Sequence, residues 1–403
     1  MKEILQNALD QFIGHAGWPA AHNSNKFSDP PRRAASAVFL ENPPARVSQE
    51  LANEGYTRFR WFAVLPSSKA PRWLLPLGDR HRMLEGFQIY TPFTPSARLL
   101  KSLVIRAIKA GWDGWGCPRV MVASKEPLPL EVLATKVTGE PEPVLALSLG
   151  MPGDLSKLTV QVMGRCGEIL GYIKLPLRPA AAERVRHEAS VLERLWQFPS
   201  LRPHIPKVLH AGRWADGYVL FQSPGPYRPG PVEFGALHEG FLRSLWGVYR
   251  IEKPGRTLVE EVAARWRRVG PLADPELQDL GKRTLERASR ELDGLMVPCG
   301  IMHGDLVPWN TRVENGRLFV FDWESAVWEV PTLWDVFHFY VQVASLLNRR
   351  NGHHFPPTQA PGEGALFLLY VLTSLCQYIE GKAPPGHQLV EYRKRLLAEI
   401  LST

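Results

Sequence analysis

Three polar side chains in the carboxyl-terminal half of the chain have the spacing that phosphoryl transfer requires. Residues 303–310 read HGDLVPWN, and residues 321–324 read FDWE. In this chemistry one Asp accepts the proton of the attacking hydroxyl, while an Asn five residues later and a second Asp after a strand hold metal ions. Asp305, Asn310 and Asp322 fit these three roles in this order. The chain is therefore a candidate kinase.

The residues around this motif predict a loop between buried strands. Residues 299–302 are apolar, and residues 317–321 are rich in strand formers and follow a turn signal. Such a loop can bring Asp305 and Asn310 to one point, and the strand then returns the chain so that Asp322 emerges at the same end. The alternative is that the two aspartates are a turn residue and a surface acid. The joint order of all three residues favours the functional interpretation.

The motif resembles the catalytic loop of the aminoglycoside phosphotransferase and choline kinase family, whose fold is similar to that of protein kinases. By this resemblance Asp305 is the catalytic base, and Asn310 and Asp322 bind metal. The same resemblance implies that His303 and Asp335 support the catalytic loop. It also implies ATP or GTP as the phosphate donor, with Mg²⁺.

Two positions near the motif distinguish this chain within the kinase-like proteins. Gly304 follows the histidine where protein kinases usually carry Arg, which indicates the branch that acts on small molecules. Before Asp335 the family commonly has a Gly-Asp-Pro-like turn, whereas this chain has Glu-Val-Pro at residues 329–331. Asp335 therefore follows a turn that departs from the family's pattern.

A kinase also needs a loop that covers the phosphates, and residues 150–157 read GMPGDLSK between two predicted strands. Glycine allows backbone amides to approach a phosphate closely. Gly150, Gly153 and Ser156 are thus candidate nucleotide ligands. An ordinary hairpin explains the two glycines equally well.

The next requirement is a lysine on a strand and an acid on a helix. Lys174 is the one charged residue in an apolar predicted strand, and Glu188 lies on the apolar stripe of the helix that follows. Buried charges need partners, so these two are expected to pair. Alternatives are a surface pair of Glu188 with Arg184, or the use of Glu183 or Glu193 in its place.

Two further strands are predicted at residues 205–210 and 217–222, and a Pro- and Gly-containing segment follows them. By resemblance this is the hinge between two lobes. The backbone of Phe221, Gln222 and Ser223 would then meet the adenine edge of the nucleotide.

The resemblance implies an α+β, two-lobed protein kinase-like fold with an added amino-terminal extension, as in a set of bacterial kinase-like proteins. Residues 1–134 form the α/β extension, residues 135–223 a nucleotide-binding lobe built on a small antiparallel sheet, and residues 224–403 a mostly helical lobe with the catalytic loop and acceptor site. The extension contains a predicted strand pair at residues 56–65 and 72–77. It is a candidate surface for recruiting a partner.

Composition limits the compartment and the partners. The first residues lack the pattern of an export signal, no segment is long and apolar enough to span a membrane, and the four cysteines show no disulfide or metal-site spacing. A cytoplasmic location is therefore expected. The net charge is +8, but the basic residues are spread along the chain, and no specific nucleic-acid partner is predicted.

The charge distribution also bears on the acceptor. A site for a polycationic aminoglycoside should offer a cluster of carboxylates, yet the region after Tyr340 is rich in basic residues and poor in acids. The basic residues of this region are Arg349, Arg350, Lys382, Arg393, Lys394 and Arg395. A neutral or anionic hydroxyl compound, such as a sugar or related metabolite, is the expected acceptor.

The alternative function is a nucleotide-binding regulator or pseudokinase scaffold that recruits a partner through its amino-terminal extension.

Overall fold

The computed structural model describes residues 8, 12, 37–92, 95–150, 153–214, 217–347, 361–384 and 386–402. The chain divides into two compact units. The first unit comprises Met1–Gln197 and Ile205–Tyr227, and the second comprises Phe198–His204 and Arg228–Thr403. The predicted limit between lobes, after residue 223, lies four residues from the limit between these units.

The first unit is built on one antiparallel sheet of nine strands, in the order β1-β4-β2-β3-β5-β6-β7-β9-β8. Its strands are β1 (Ala37–Glu41), β2 (Arg58–Leu65), β3 (Trp73–Pro76), β4 (Arg119–Ser124), β5 (Val144–Leu149), β6 (Lys157–Met163), β7 (Ile169–Pro176), β8 (Val208–Trp214) and β9 (Gly217–Gln222). Its helices are α1 (Ala45–Asn53), α2 (Arg80–Gly86), α3 (Pro95–Lys109), α4 (Pro129–Thr138) and α5 (Pro179–Trp196).

The amino-terminal extension and the predicted nucleotide-binding lobe share this sheet. Strand β3 pairs with β5 through Trp73 and Ser148 and through Leu74 and Leu147. The same buried core holds Leu74 from the extension and Leu147 and Val160 from the lobe. One sheet and one core thus continue across the expected boundary at residue 134, and pairing with β3 covers the edge that β5 would otherwise expose. The division of the chain at this boundary stays a prediction.

The second unit is mostly helical. Its strands form a three-stranded sheet, β10-β11-β14, and the hairpin β12-β13. The strands are β10 (Arg250–Pro254), β11 (Met296–Met302), β12 (Thr311–Glu314), β13 (Arg317–Val320) and β14 (Val327–Pro331). The helices are α6 (Ala236–Val248), α7 (Gly255–Val269), α8 (Pro275–Glu291), α9 (Trp334–Leu347), α10 (Glu363–Glu380) and α11 (Gln388–Ser402).

Helix α10 lies at the centre of this unit. Its residues from Ala365 to Leu372 are all buried, as expected of a helix that is apolar on every side. Helices α7, α8, α9 and α11 contribute side chains to the same core. Of the helices within the described residues, none has the length and apolar character needed to cross a membrane.

The basic residues after Tyr340 do not support the charge-based interpretation of the acceptor site. Arg393 is fully buried, and Lys394 forms ion pairs with Asp274 at 2.9 Å and Glu276 at 2.6 Å. Arg349 and Arg350 lie outside the described residues. Two of the counted basic side chains thus have partners within the fold and do not form an open cationic surface.

Candidate active site

The catalytic loop runs from the end of β11 to the hairpin β12-β13, as predicted. The backbone N–H of Phe321 donates to the carbonyl oxygen of Asn310 at 3.1 Å, next to the pairing of Thr311 with Val320. The hairpin thereby returns the chain to the loop. Asp322 follows immediately after this contact.

Asn310 binds Asp305 directly. Its Nδ2 donates to Asp305 Oδ2 at 2.8 Å and to the Asp305 carbonyl oxygen at 3.0 Å. These bonds fix the amide of Asn310, which is buried, so that its Oδ1 faces away from Asp305. The carboxylate of Asp305 remains accessible, with 34% of its side chain exposed.

His303 is buried beneath the loop in its neutral form. Its Nδ1 accepts a hydrogen bond from the Asp305 N–H at 3.2 Å, and its Nε2 lies 3.1 Å from the carbonyl oxygen of Phe321. A ring that accepts at Nδ1 and donates at Nε2 is uncharged. Burial lowers the pKa of His303, although nearby carboxylates oppose this effect. His303 thus joins both sides of the loop without adding charge.

Asp335 lies in the first turn of α9 and holds the start of the catalytic loop. Its Oδ2 accepts from the His303 N–H at 2.7 Å, and its Oδ1 accepts from the Gly304 N–H at 3.0 Å. Burial raises the pKa of Asp335, an effect that these two donors oppose. The contacts form despite the unusual residues before α9. Pro331 pairs with Cys299 of β11, which positions the start of that helix.

Asp322 has a left-handed backbone conformation, with φ 71° and ψ 58°. Such conformations are unfavourable for most residues with a side chain and occur preferentially at functional sites. The Asp322 carboxylate and the Asn310 Oδ1 are hard oxygen ligands of the kind that Mg²⁺ prefers. The donor set therefore fits the predicted metal.

The first unit contains the expected pair of a strand lysine and a helix acid. Lys174 Nζ on β7 lies 2.5 Å and 2.7 Å from the two carboxylate oxygens of Glu188 on α5. Both side chains are buried, with 5% and 0% exposure. Glu183 and Glu193 are exposed on the same helix. The structure thus selects Glu188 among the three acids that the sequence allowed.

Comparison with known proteins identifies the family. A sequence model of the phosphotransferase enzyme family (APH) matches residues 153–368, which is more than half of the chain. The chain belongs to this family. The match confirms the predicted class of enzyme, a small-molecule kinase, and the predicted kinase-like fold.

Solved structures similar to this phosphotransferase include aminoglycoside phosphotransferases and a fructosamine-3-kinase from Haemophilus somnus. A thermostable mutant of aminoglycoside phosphotransferase APH(4)-Ia, apo form, is 15% identical, with coverage of 68% of this chain and 98% of that chain and a TM-score of 0.47. A ternary complex of a thermostable APH(4)-Ia mutant with ADP and hygromycin B is 14% identical to this chain, with the same coverage and TM-score. The GDP complex of aminoglycoside 2'-phosphotransferase-IIIa is 15% identical, with coverage of 68% and 98% and a TM-score of 0.42. No curated protein matches the chain.

The predicted phosphate loop, residues 150–157, is closed by local hydrogen bonds. Gly150 N–H donates to the Lys157 carbonyl oxygen at 3.0 Å, and Ser156 Oγ donates to the Gly153 carbonyl oxygen at 2.6 Å. A side chain on Gly150 would lie 2.9 Å from that same Lys157 oxygen. Residues 151 and 152 lie outside the described residues. Phosphate contacts from this loop stay a prediction.

The three predicted hinge residues lie at the end of β9. Phe221 and Gln222 are buried and pair with β7 on one side and β8 on the other. Ser223 N–H donates to the Lys207 carbonyl oxygen at 2.8 Å, and Ser223 Oγ accepts from the Lys207 N–H at 2.9 Å. Because its N–H already has a partner, Ser223 is poorly placed to offer that group to adenine. The contact of this segment with a base stays a prediction.

His338 contacts the predicted base, a contact that the sequence interpretation missed. Its Nε2 lies 3.0 Å from Asp305 Oδ1. The sequence alone assigned no role to His338. The available signal was its spacing from Asp335, since residues three apart on a helix share a face. That face is the one directed at the catalytic loop.

Replacement of Gly304 by Ala is expected to destabilise the catalytic loop. Gly304 has φ 83°, and an added Cβ would clash with the Ser325 carbonyl oxygen. Left-handed strain and this clash together should lower the free energy of unfolding by more than about 2 kcal/mol, measured by urea titration. Gly316→Ala is the matched control, because Gly316 has φ 71° and open space around the Cβ position. Equal losses in both variants would show that the Ser325 contact is irrelevant.

Replacement of Glu188 by Gln is expected to destabilise the first unit. The change removes the negative charge that balances the buried Lys174 ammonium. Loss of one partner from a buried ion pair costs about 3 kcal/mol or more in unfolding free energy. Chemical denaturation measures this loss, and Glu193→Gln on the exposed face of α5 should change the midpoint little. Equal midpoints for the two variants would mean that the pair adds no stability.

Proposed function

We propose that this enzyme transfers the terminal phosphate of a magnesium-bound nucleotide, ATP or GTP, to a hydroxyl group of a small molecule. The observation that supports this most directly is the contact of Asn310 with Asp305, next to the turn that presents Asp322. A base and two oxygen ligands on one loop and hairpin form the constellation that phosphoryl transfer uses.

Asp305 is the proposed base. Its carboxylate is partly exposed and held at both oxygens, by His338 and by Asn310. A fixed carboxylate can accept the proton of an acceptor hydroxyl while that oxygen attacks the phosphate. His303 and Asp335 act on this step indirectly, because they accept hydrogen bonds from the backbone N–H groups of residues 303–305.

Phosphate and metal contacts are assigned to other residues. Lys174 is proposed to contact the nucleotide phosphates, with Glu188 holding the ammonium in place, and the loop from Gly150 to Ser156 is proposed to cover those phosphates. Asn310 and Asp322 are proposed to hold Mg²⁺. When bound, Mg²⁺ neutralises negative charge on the phosphates and orients them.

The proposed acceptor is a neutral or anionic hydroxyl compound, such as a sugar or a related metabolite. Support comes from the net charge of +8, which disfavours a polycationic substrate. The internal use of Arg393 and Lys394 reduces this support, so aminoglycosides belong in the same test. Relatives in solved structures are described with hygromycin B as a ligand.

The experiment is a screen of hydroxyl compounds by mass spectrometry. The purified enzyme is incubated with Mg²⁺, with ATP or GTP, and with a panel of sugars, sugar acids, amino alcohols and aminoglycosides. A mass increase of one phosphoryl group that depends on Asp305 identifies the acceptor. Phosphorylation of aminoglycosides alone would overturn the proposed acceptor class. If no compound of the panel is phosphorylated, cell extract is tested as a last source of acceptors. Absence of phosphoryl transfer in that test as well would overturn the proposed activity.

A nucleotide-binding scaffold is the second candidate function, because the extension has apolar side chains that face solvent. Leu99, Leu100 and Leu103 on α3 are exposed by 62%, 58% and 51%. Exposed leucines in one patch are typical of an interaction surface. This function would give nucleotide binding without transfer in the same screen.

A further inference from the structure

The hydrogen bond between His338 and Asp305 belongs to a longer chain of contacts within the second unit. The Tyr370 hydroxyl lies 3.1 Å from His338 Nδ1, on the other side of the ring from Asp305. Arg393 donates to Ser374 Oγ at 2.8 Å, four residues after Tyr370 on α10. Tyr370 and Arg393 are both buried. The chain therefore leads from the protein core to the predicted base.

The Asp305 carboxylate sets the direction of these hydrogen bonds. An ionised carboxylate can only accept, so His338 carries its hydrogen on Nε2 and donates it to Asp305 Oδ1. A neutral imidazole with its hydrogen on Nε2 accepts at Nδ1, where the Tyr370 hydroxyl is the donor. Burial raises the pKa of Tyr370, which keeps the hydroxyl protonated. Tyr370 and His338 thus each donate towards Asp305.

Asp305 is consequently held at two points. His338 donates to Oδ1 at 3.0 Å, and Asn310 donates to Oδ2 at 2.8 Å. Two donors on different oxygens fix the plane of a carboxylate, whereas one donor allows it to rotate. Each oxygen keeps a further lone pair for a substrate hydroxyl.

We propose that His338 is a positioning residue for phosphoryl transfer, which orients the Asp305 carboxylate towards the acceptor hydroxyl, and that Tyr370 holds His338 in the required tautomer. This inference rests on the proposed function of Asp305. Nε2 of His338 already carries a hydrogen, so His338 does not take the proton from Asp305. Its contribution is to orientation, to which reaction rates are sensitive at the scale of an ångström.

Steady-state kinetics of four variants tests the proposal, and the rate of nucleoside diphosphate formation is measured. The second substrate is the acceptor found in the screen, or water if no acceptor is found. His338→Leu should lower kcat about 100-fold and change either KM less than about threefold, since a positioning defect acts on the chemical step. His338→Gln places an amide donor near the position of Nε2 and should recover about tenfold of that loss. Tyr370→Phe should lower kcat about tenfold.

The fourth variant, Tyr378→Phe, is the control for removal of a tyrosine hydroxyl near Arg393. The Tyr378 ring stacks on Arg393, and this contact needs no hydroxyl. Its kinetics should match the wild type. A wild-type kcat in a folded His338→Leu variant would overturn the inference. If His338→Leu does not fold, equal kcat values for Tyr370→Phe and Tyr378→Phe would overturn it instead. Full activity of Asp305→Asn would instead overturn the proposed function.

A measurement without turnover tests the tautomer. In protein labelled with ¹⁵N-histidine, at pH about 8, above the usual histidine pKa, the His338 signals are identified by their loss in His338→Gln. We expect a neutral ring with hydrogen on Nε2 and a hydrogen-bonded Nδ1, and a shift of the Nδ1 signal in Tyr370→Phe but not in Tyr378→Phe. Hydrogen on Nδ1 in the wild type would overturn the inference, even if no acceptor is known.

Discussion

Replacement of Asp305 by Asn is expected to lower phosphoryl transfer by about 10²- to 10⁴-fold, the range of general-base contributions. An amide of the same size cannot accept the proton of the acceptor hydroxyl. The nucleotide contacts assigned to Lys174 do not involve Asp305, so the affinity for nucleotide should stay unchanged. Initial rates of diphosphate formation and calorimetric titration with a non-hydrolysable nucleotide measure the two quantities.

The control for this variant is Asp293→Asn, which removes the same charge from an exposed residue of the same unit. The Asn side chain has one oxygen, so either His338 or Asn310 faces a donor instead of an acceptor in Asp305→Asn. Thermal unfolding is therefore recorded for both variants. Wild-type turnover in a folded Asp305→Asn variant would remove Asp305 as the base.

Local parts of the site could be predicted because their chemistry lies in short segments. Asp305 and Asn310 are five residues apart and hydrogen-bond to each other, and the hairpin after them has a clear turn signal. The pairing of Lys174 with Glu188 was predictable for a different reason. A charged side chain on a buried strand or on the buried face of a helix is rarely found without a partner of opposite charge, so Lys174 and Glu188 were expected to pair.

Contacts between distant segments could not be predicted in the same way. The pairing of Trp73 with Ser148 joins strands 75 residues apart, and alternation of side chains along a strand does not reveal its neighbour. Tyr370 lies in an apolar helix and looks like an ordinary core residue. Only the fold places its hydroxyl beside His338.

Counting charges in the sequence failed because the count cannot distinguish buried from exposed groups. Arg393 was treated as one of several charges near a substrate, yet it is buried and bonded to neutral oxygens of Ser374, Leu389 and Gln342. The Arg393 side chain is therefore not part of the surface that a substrate contacts.

Replacement of Asp322 by Asn is expected to raise the Mg²⁺ concentration needed for half-maximal activity by at least about 10- to 100-fold. Asn tolerates the left-handed conformation of this residue nearly as well as Asp does, so the change removes charge with little added backbone strain. Ala at this position would combine both effects. Activity as a function of Mg²⁺ measures the shift, and binding of Mn²⁺ in the presence of a non-hydrolysable nucleotide gives the metal affinity without turnover.

Glu314→Gln supplies the matched control, because Glu314 is an exposed acid of the adjacent hairpin and its loss changes the net charge equally. Its Mg²⁺ dependence should equal that of the wild type. A metal affinity of Asp322→Asn equal to that of Glu314→Gln would show that Asp322 is not a metal ligand. The same affinity together with a large loss of turnover would mean that Asp322 acts on the transferred phosphate by another contact, since it directly follows Phe321, whose N–H donates to Asn310 of the catalytic loop.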